Sequence, residues 1–379
     1  MNATITYPAA PNKNQTVLPR QIAFAAAFLL PVGKFLETPS ILARYAGNDI
    51  LLPALIRFLA ESLLLLAVLY AATRSNQTLC ERLENALGKG VLWIYIPFTA
   101  YYLLAGVLPL LDLEKFIYAS FYDTAPTAFS FAAFFLFSAY FCTKGIKTLG
   151  RFSDLCLLLF LLPFIALIIL SFSEADFTHL LPFFNTDFRQ SAEAIRYATP
   201  HFSDVALLLP LLANCKFEKS ETGKDAKKIF IGYAVGALFS LLLFAVFYAV
   251  YSSIAPNEHY AFAKIAQYFS ALDVLGRIDL LLVYLLTVIL FVYTCLPFQY
   301  ATGLFAKTLG VTRRTWISAI LNLALFFFTL YFNRYYNTIY TLISNRLAPV
   351  FWLFADILPL FLLLLPLKKT TKRKESSHA

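Results

Sequence analysis

Long, uninterrupted apolar stretches constrain this chain more than any motif does. They lie at about 20–46, 50–73, 89–111, 124–143, 152–173, 198–215, 228–255, 274–305, 314–332 and 338–366, and each approaches or exceeds the roughly 20 apolar residues that carry a helix across a bilayer. Backbone polar groups in hydrocarbon must be satisfied within the segment, so the pattern predicts an all-α polytopic membrane protein of about ten transmembrane helices. Continuous runs exclude a β-barrel, whose strands alternate in polarity. With 60% hydrophobic and 14% charged residues, a soluble globular fold is excluded as well.

The domain organisation that follows is a cytoplasmic N-terminal segment (1–19), one transmembrane domain (20–366) and a basic cytoplasmic tail (367–379). Residues 1–20 are polar and carry no apolar core before a small-residue cleavage site, so no signal peptide is expected. Lysine and arginine gather in alternate loops: Arg74, Arg82 and Lys89; Lys144, Lys147 and Arg151; Lys216 to Lys228; Lys307, Arg313 and Arg314; Lys368 to Lys374. Those loops are assigned to the cytoplasm, with both termini. The net charge of +9 therefore points to the lipid bilayer and not to nucleic acid. Two loops expected outside, 174–197 and 256–273, contain amphipathic stretches that could lie on the bundle's mouth as short helices, and 76–88 reads as an interfacial helix on the inside. The five cysteines are scattered singly without CxxC spacing, which suggests packing residues and neither a metal site nor a disulfide framework.

The first segment contains Pro31, Gly33, Lys34, Glu37 and Pro39 near its middle. Two prolines remove backbone donors and the glycine permits a bend, so the helix is expected to break here and expose backbone groups to a cavity. The bland alternative is a kinked, continuous helix in which Lys34 and Glu37 pair. The sixth segment repeats the pattern with Pro200, Ser203, Asp204 and Pro210. Five-plus-five inverted repeats place segments one and six as matched broken helices around a midplane site. The expected ligand-binding set is Val32, Gly33, Lys34, Phe35 and Glu37 with Phe202, Ser203 and Asp204, covered by Tyr101 or Tyr102 from segment three. Freed amides favour a carboxylate, Glu37 or Asp204 could accept an ammonium group, and Lys34 could neutralise Glu37 or stand in for a bound cation.

Other intramembrane charges read as structural ion pairs: Arg57 with Glu61 at i, i+4 on segment two, and the Asp273, Arg277, Asp279 cluster opening segment eight. Arg346 and Asp356 in the last segment, and Arg151 with Asp154, read the same way. No GxSxG, P-loop, HExxH or dinucleotide fingerprint occurs, so neither an enzyme nor a cofactor is expected.

The ten-segment layout, Leu18-Pro-Arg-Gln-Ile, the stretch Gly145-Ile-Lys-Thr-Leu-Gly-Arg-Phe-Ser-Asp154, Asp176-Phe-Thr-His-Leu-Leu-Pro-Phe and Gly276-Arg-Ile-Asp279 together resemble the B subunit of bacterial endospore germinant receptors, over nearly the whole chain. That family belongs to the amino acid–polyamine–organocation superfamily. The resemblance implies a LeuT-like fold, a small germinant such as an amino acid, location in the spore inner membrane, and A-type and C-type partner subunits. A proton- or cation-coupled amino-acid transporter of the same fold is the competing reading, and a scaffold with a vestigial site is third. Segment eight offers only Thr287 and Thr294 as hydroxyls, which gives little support to sodium coupling.

Overall fold

The computed structural model describes residues 16–75, 77–121, 127–217, 222–267 and 278–364. Segment one is two helices, α1 (Pro19–Val32) and α2 (Thr38–Ala46), separated by non-helical residues 33–37. Pro19 stands at the start of α1, where its missing N–H costs nothing. The Gln21 side-chain oxygen accepts from the Leu18 backbone N–H at 3.1 Å, closing that first turn. Gly47, at φ +55°, ends α2 in the left-handed region.

Segment two is α3 (Leu51–Thr73). The interfacial helix expected over 76–88 is α4 (Leu79–Leu87), fixed by a reciprocal cap between Thr78 and Glu81. Then come α5 (Leu92–Phe121), α6 (Thr127–Cys142) and α7 (Ile146–Ser171). Helix α5 runs beyond the expected end at 111 because its apolar core continues through Leu113, Phe116 and Ile117, with Asp112 and Glu114 buried among them. Segment six is also two pieces: α8 (Phe188–Ala198) with a 3₁₀ turn at Thr199–His201, then α9 (Asp204–Ala213). The amphipathic stretch expected to lie on the mouth is thus, in its second part, the first half of the broken helix. It packs on α2, with Tyr45 stacked on Tyr197 at 4.4 Å, while Arg189 and Phe188 remain exposed.

Further along are α10 (Thr222–Tyr251), a 3₁₀ turn (Ser252–Asn257), α11 (Ala261–Gln267), α12 (Ile278–Leu309) and α13 (Thr315–Phe332). The last segment starts with α14 (Tyr336–Thr341), passes through a π turn (Leu342–Arg346) into α15 (Ala348–Phe351), and continues through a second π turn (Trp352–Ile357) to Leu364. The end of the bundle carrying α8 and α11 is termed the mouth, and the end carrying α4 the base.

Among the described residues, six spans are long and apolar enough to cross a membrane, and Pro19–Val32, Phe131–Cys142 and Ala348–Leu364 are shorter apolar helices. Their exposed faces are apolar stripes at helical spacing, such as Trp316, Ile320, Leu323 and Phe327 on α13 and Leu155, Leu158, Leu162, Ile165 and Ile169 on α7. A helix with an apolar outward face and polar groups turned inward is built for lipid surroundings.

Helix α1 is the buried centre of the bundle. Its alanines let α10 approach so closely that a Cβ on Gly232 would lie 2.6 Å from the Ala23 Cα, and one on Gly236 2.5 Å from the Ala26 carbonyl oxygen. At the base, Arg20 and Gln21 reach the Asp154 carboxylate at 3.3 and 3.4 Å, and a Cβ on Gly150 would strike the Gln21 side-chain oxygen at 2.8 Å. Asp154 is thus bound by α1 and not by its sequence neighbour Arg151, which is exposed. Val17 pairs with Asn214 and Cys215 beyond the end of α9, so α1 is tied to both α7 and segment six at this end.

Candidate functional site

The two breaks face each other. Lys34, wholly buried, bonds both carboxylate oxygens of Asp204 at 2.7 and 2.6 Å, joining residues 170 apart in the chain. Lys34 therefore pairs with the acid of the opposite break and not with Glu37. Its ammonium also lies 4.8 Å from the Phe202 ring centroid and 5.6 Å from that of Phe58, a cation–π contribution inside a dry site.

Arg57 donates to the Phe202 carbonyl at 2.8 Å, satisfying a backbone oxygen freed at the second break. It also meets Asp356 at 2.9 Å and Glu61 at 3.5 Å. The i, i+4 pair on α3 is thus part of the central cluster. Asp356 takes its charge partner from α3, while Arg346 is exposed with no ion pair among the described residues, so the grouping of those two as a local clamp is corrected. Glu61 receives a further hydrogen bond from the Tyr233 hydroxyl at 3.3 Å. Around the site, Lys34 and Arg57 face Asp204, Glu61 and Asp356.

The carbonyls freed at the first break are satisfied from the mouth. The backbone amides of Ala261 and Phe262, at the start of α11, donate to Leu36 and Phe35 oxygens at 3.2 Å each. The Phe262 ring stacks on Phe35 at 4.9 Å, and Phe35 lies against Phe160 and Phe164. Of the stretch 256–273, in which short helices on the mouth were expected, residues 256–267 include the short helix α11 and form a lid seated on the break, and 268–273 lie outside the described residues. His259, half-exposed on the same lid, donates from Nδ1 to the Glu37 carboxylate at 2.7 Å.

Val32 ends α1 fully buried, and a Cβ on Gly33 would collide with the Tyr293 ring at 2.6–2.8 Å, so this position needs glycine for space. Tyr102 donates to the Ala206 carbonyl at 2.9 Å, tying α5 to the first turn of α9, while Tyr101 stacks on Phe354 at 5.2 Å. Ser203 lies between the two halves of segment six with its hydroxyl toward the Pro200 carbonyl at 3.5 Å. Asp273 and Arg277 lie outside the described residues, and Asp279 enters only by its backbone in the first turn of α12. Asp112, His201, His259 and Tyr293 were not in the sequence-derived set, and Asp356 was read there only as a structural charge grouped with Arg346. The signal was weak: for Asp112 a carboxylate just beyond an apolar run, and for His201 a histidine beside a proline.

The His259 latch sets a pH dependence. The hydrogen bond to Glu37 raises the imidazole above its usual value near 6.5, outweighing partial burial and the opposing charges of Arg44 and Lys115. Its contribution to closure is complete below that usual value and is lost as pH rises through the raised one. Backbone amides of 259–263 are expected to exchange faster as pH rises through this window, after correction for intrinsic exchange. His259→Gln should flatten the dependence, and an unchanged profile in that variant would remove the latch from the account.

An all-helical bundle with two helices broken at facing positions defines the LeuT-like class of membrane proteins. The crystal structure of MhsT in complex with L-phenylalanine is similar with a TM-score of 0.57 at 12% identity, over 91% of this chain and 96% of that one. The crystal structure of the Eremococcus coleocola manganese transporter in complex with an aromatic bis-isothiourea substituted compound is similar with a TM-score of 0.51 at 13% identity, over 94% of this chain and 81% of that one. No curated protein matches. The family profile described as "Spore germination protein" matches residues 21–337, and the chain belongs to that family.

Proposed function

We propose that this protein is a membrane subunit of a spore germinant receptor, which binds a small amino-acid-like germinant where the breaks of segments one and six meet and passes the change to A-type and C-type subunits. The observation that carries the reading is the Lys34–Asp204 pair, which joins the two breaks in a member of the spore germination family. In this reading the protein sits in the spore inner membrane with both termini cytoplasmic and the mouth facing outward. A bundle whose freed backbone groups are held by its own Arg57 and lid is a closed resting state. A ligand shifts it only by as much as it binds the open state more tightly.

One observation favours a second reading. The central cluster holds three carboxylates against two cations, and a site that lacks one positive charge is suited to a proton-coupled carrier of the same fold. Purified protein in liposomes, given labelled amino acids with and without a proton gradient, separates the two. Binding without accumulation, with a germination defect on deletion, supports the receptor. Uphill uptake by the isolated chain overturns it. Gly33→Leu, which drives a side chain into Tyr293, is expected to abolish ligand binding, and unchanged binding in this variant would move the site elsewhere.

A further inference from the structure

We propose that the germinant's ammonium group is received not at Asp204, where the two breaks meet, but in an acidic niche on their mouth side, formed by Glu37, Asp112 and His201. The inference rests on the receptor reading and names the chemistry of its ligand: a molecule carrying a primary ammonium.

Groups that would ordinarily take an ammonium at the breaks are already engaged. Asp204 is bound through both oxygens by Lys34, the Phe202 carbonyl by Arg57, and the Phe35 and Leu36 carbonyls by the lid amides. Beside the first break lies a small cavity of about 10 Å³, lined by Gly33, Glu37, Pro109, Asp112, His201 and Tyr293 among others. That is the space of about one water molecule, the size of an ammonium head.

Three residues that carry acceptors line this cavity. Glu37 uses Oε2 for His259, and Asp112 uses Oδ1 for the Tyr336 hydroxyl, so each keeps its second oxygen. His201 is 6% exposed, and its Nε2 has no hydrogen-bond partner. A buried nitrogen left without a partner is costly, and an N–H donor in the cavity would satisfy it. A primary ammonium has three N–H groups for three acceptors. Of the cations nearby, Lys34 is already bound by Asp204, and Lys115 lies 3.5 Å over the Tyr336 ring. Glu37 belongs to the first break, Asp112 to α5 and His201 to segment six, so an ammonium there would tie three elements together and draw on the oxygen next to the His259 latch.

The test uses the full-length chain purified in detergent, at fixed pH, with the thermal unfolding midpoint followed against probe concentration. Methylammonium is expected to raise the midpoint saturably, whereas tetramethylammonium and potassium chloride at equal concentration are not. Among the standard amino acids at least one is expected to bind, and its N-acetyl derivative to fail. Asp112→Asn and, separately, His201→Phe are expected to weaken binding by about tenfold or more, the loss of one hydrogen bond to a charged group. Should Asp112→Asn fail to fold, His201→Phe carries the same reading. No effect of methylammonium, equal effects of potassium, or affinity unchanged in both variants overturns the inference. If an amino acid binds and its affinity falls in Gly33→Leu but in neither niche variant, the receptor reading stands and the niche falls. If methylammonium binds through the niche while no amino acid does, the niche stands and the amino-acid ligand falls.

Discussion

Asp204→Ala is expected to destabilise the protein by about 3–5 kcal/mol, because it leaves the Lys34 ammonium buried without its counter-charge. Both side chains are essentially inaccessible, so water cannot substitute for the lost partner. Lys34→Met combined with Asp204→Leu should recover most of the loss, since an apolar pair of similar volume removes the stranded charge along with the attraction. Thermal unfolding of the four forms in a double-mutant cycle measures the coupling. Additive effects of the two single variants would show that the charges do not depend on each other. The double variant is expected to fold yet to lose ligand response, which would separate the structural contribution of the pair from its part in sensing.

Gly232→Leu is expected to be the most damaging change outside the charged cluster. Even a Cβ at this position would overlap the Ala23 backbone, which cannot rotate away as a side chain can. Overpacking of a dense core costs roughly 1–3 kcal/mol where side chains give way, and backbone against backbone lies at or beyond the upper end. The control is Gly145→Ala, where φ is −79° and no atom lies within 4 Å of the new carbon. Size-exclusion profiles and unfolding midpoints should show a large loss for the first variant and little change for the second. Equal behaviour would mean that α1 and α10 are not in the close register described.

Much of this architecture is written in local composition. Pro31, Gly33 and Pro39 mark the first break, and residues 33–37 are indeed the non-helical ones, since the two prolines withdraw backbone donors on either side of a glycine that lets the chain bend. The second break is less legible. Its mouth-side half, α8, has one face on α2 and another toward polar surroundings, so a hydropathy window reads it as loop. The pairing of charges is not legible at all. Lys34 has Glu37 three residues away and Asp204 on another segment, and only the folded bundle decides between them. Likewise Arg57 finds Asp356 across 299 positions, and Asp154 finds Arg20 in preference to the adjacent Arg151. The π turns of the last segment have no periodic signature in an almost wholly apolar stretch, and it is these turns that precede and contain Asp356.

The keyed contact between α1 and α10 makes α1 a strut. Its 14 residues span about 21 Å from the Arg20 end to the break that holds Lys34. Gly232 and Gly236 grip it along its length, so it has no slack in which a small displacement could be absorbed. Movement imposed on Lys34 would then reappear at the opposite end as load on the Arg20–Asp154 and Val17–Cys215 ties, carrying an event at the break to the base of the bundle.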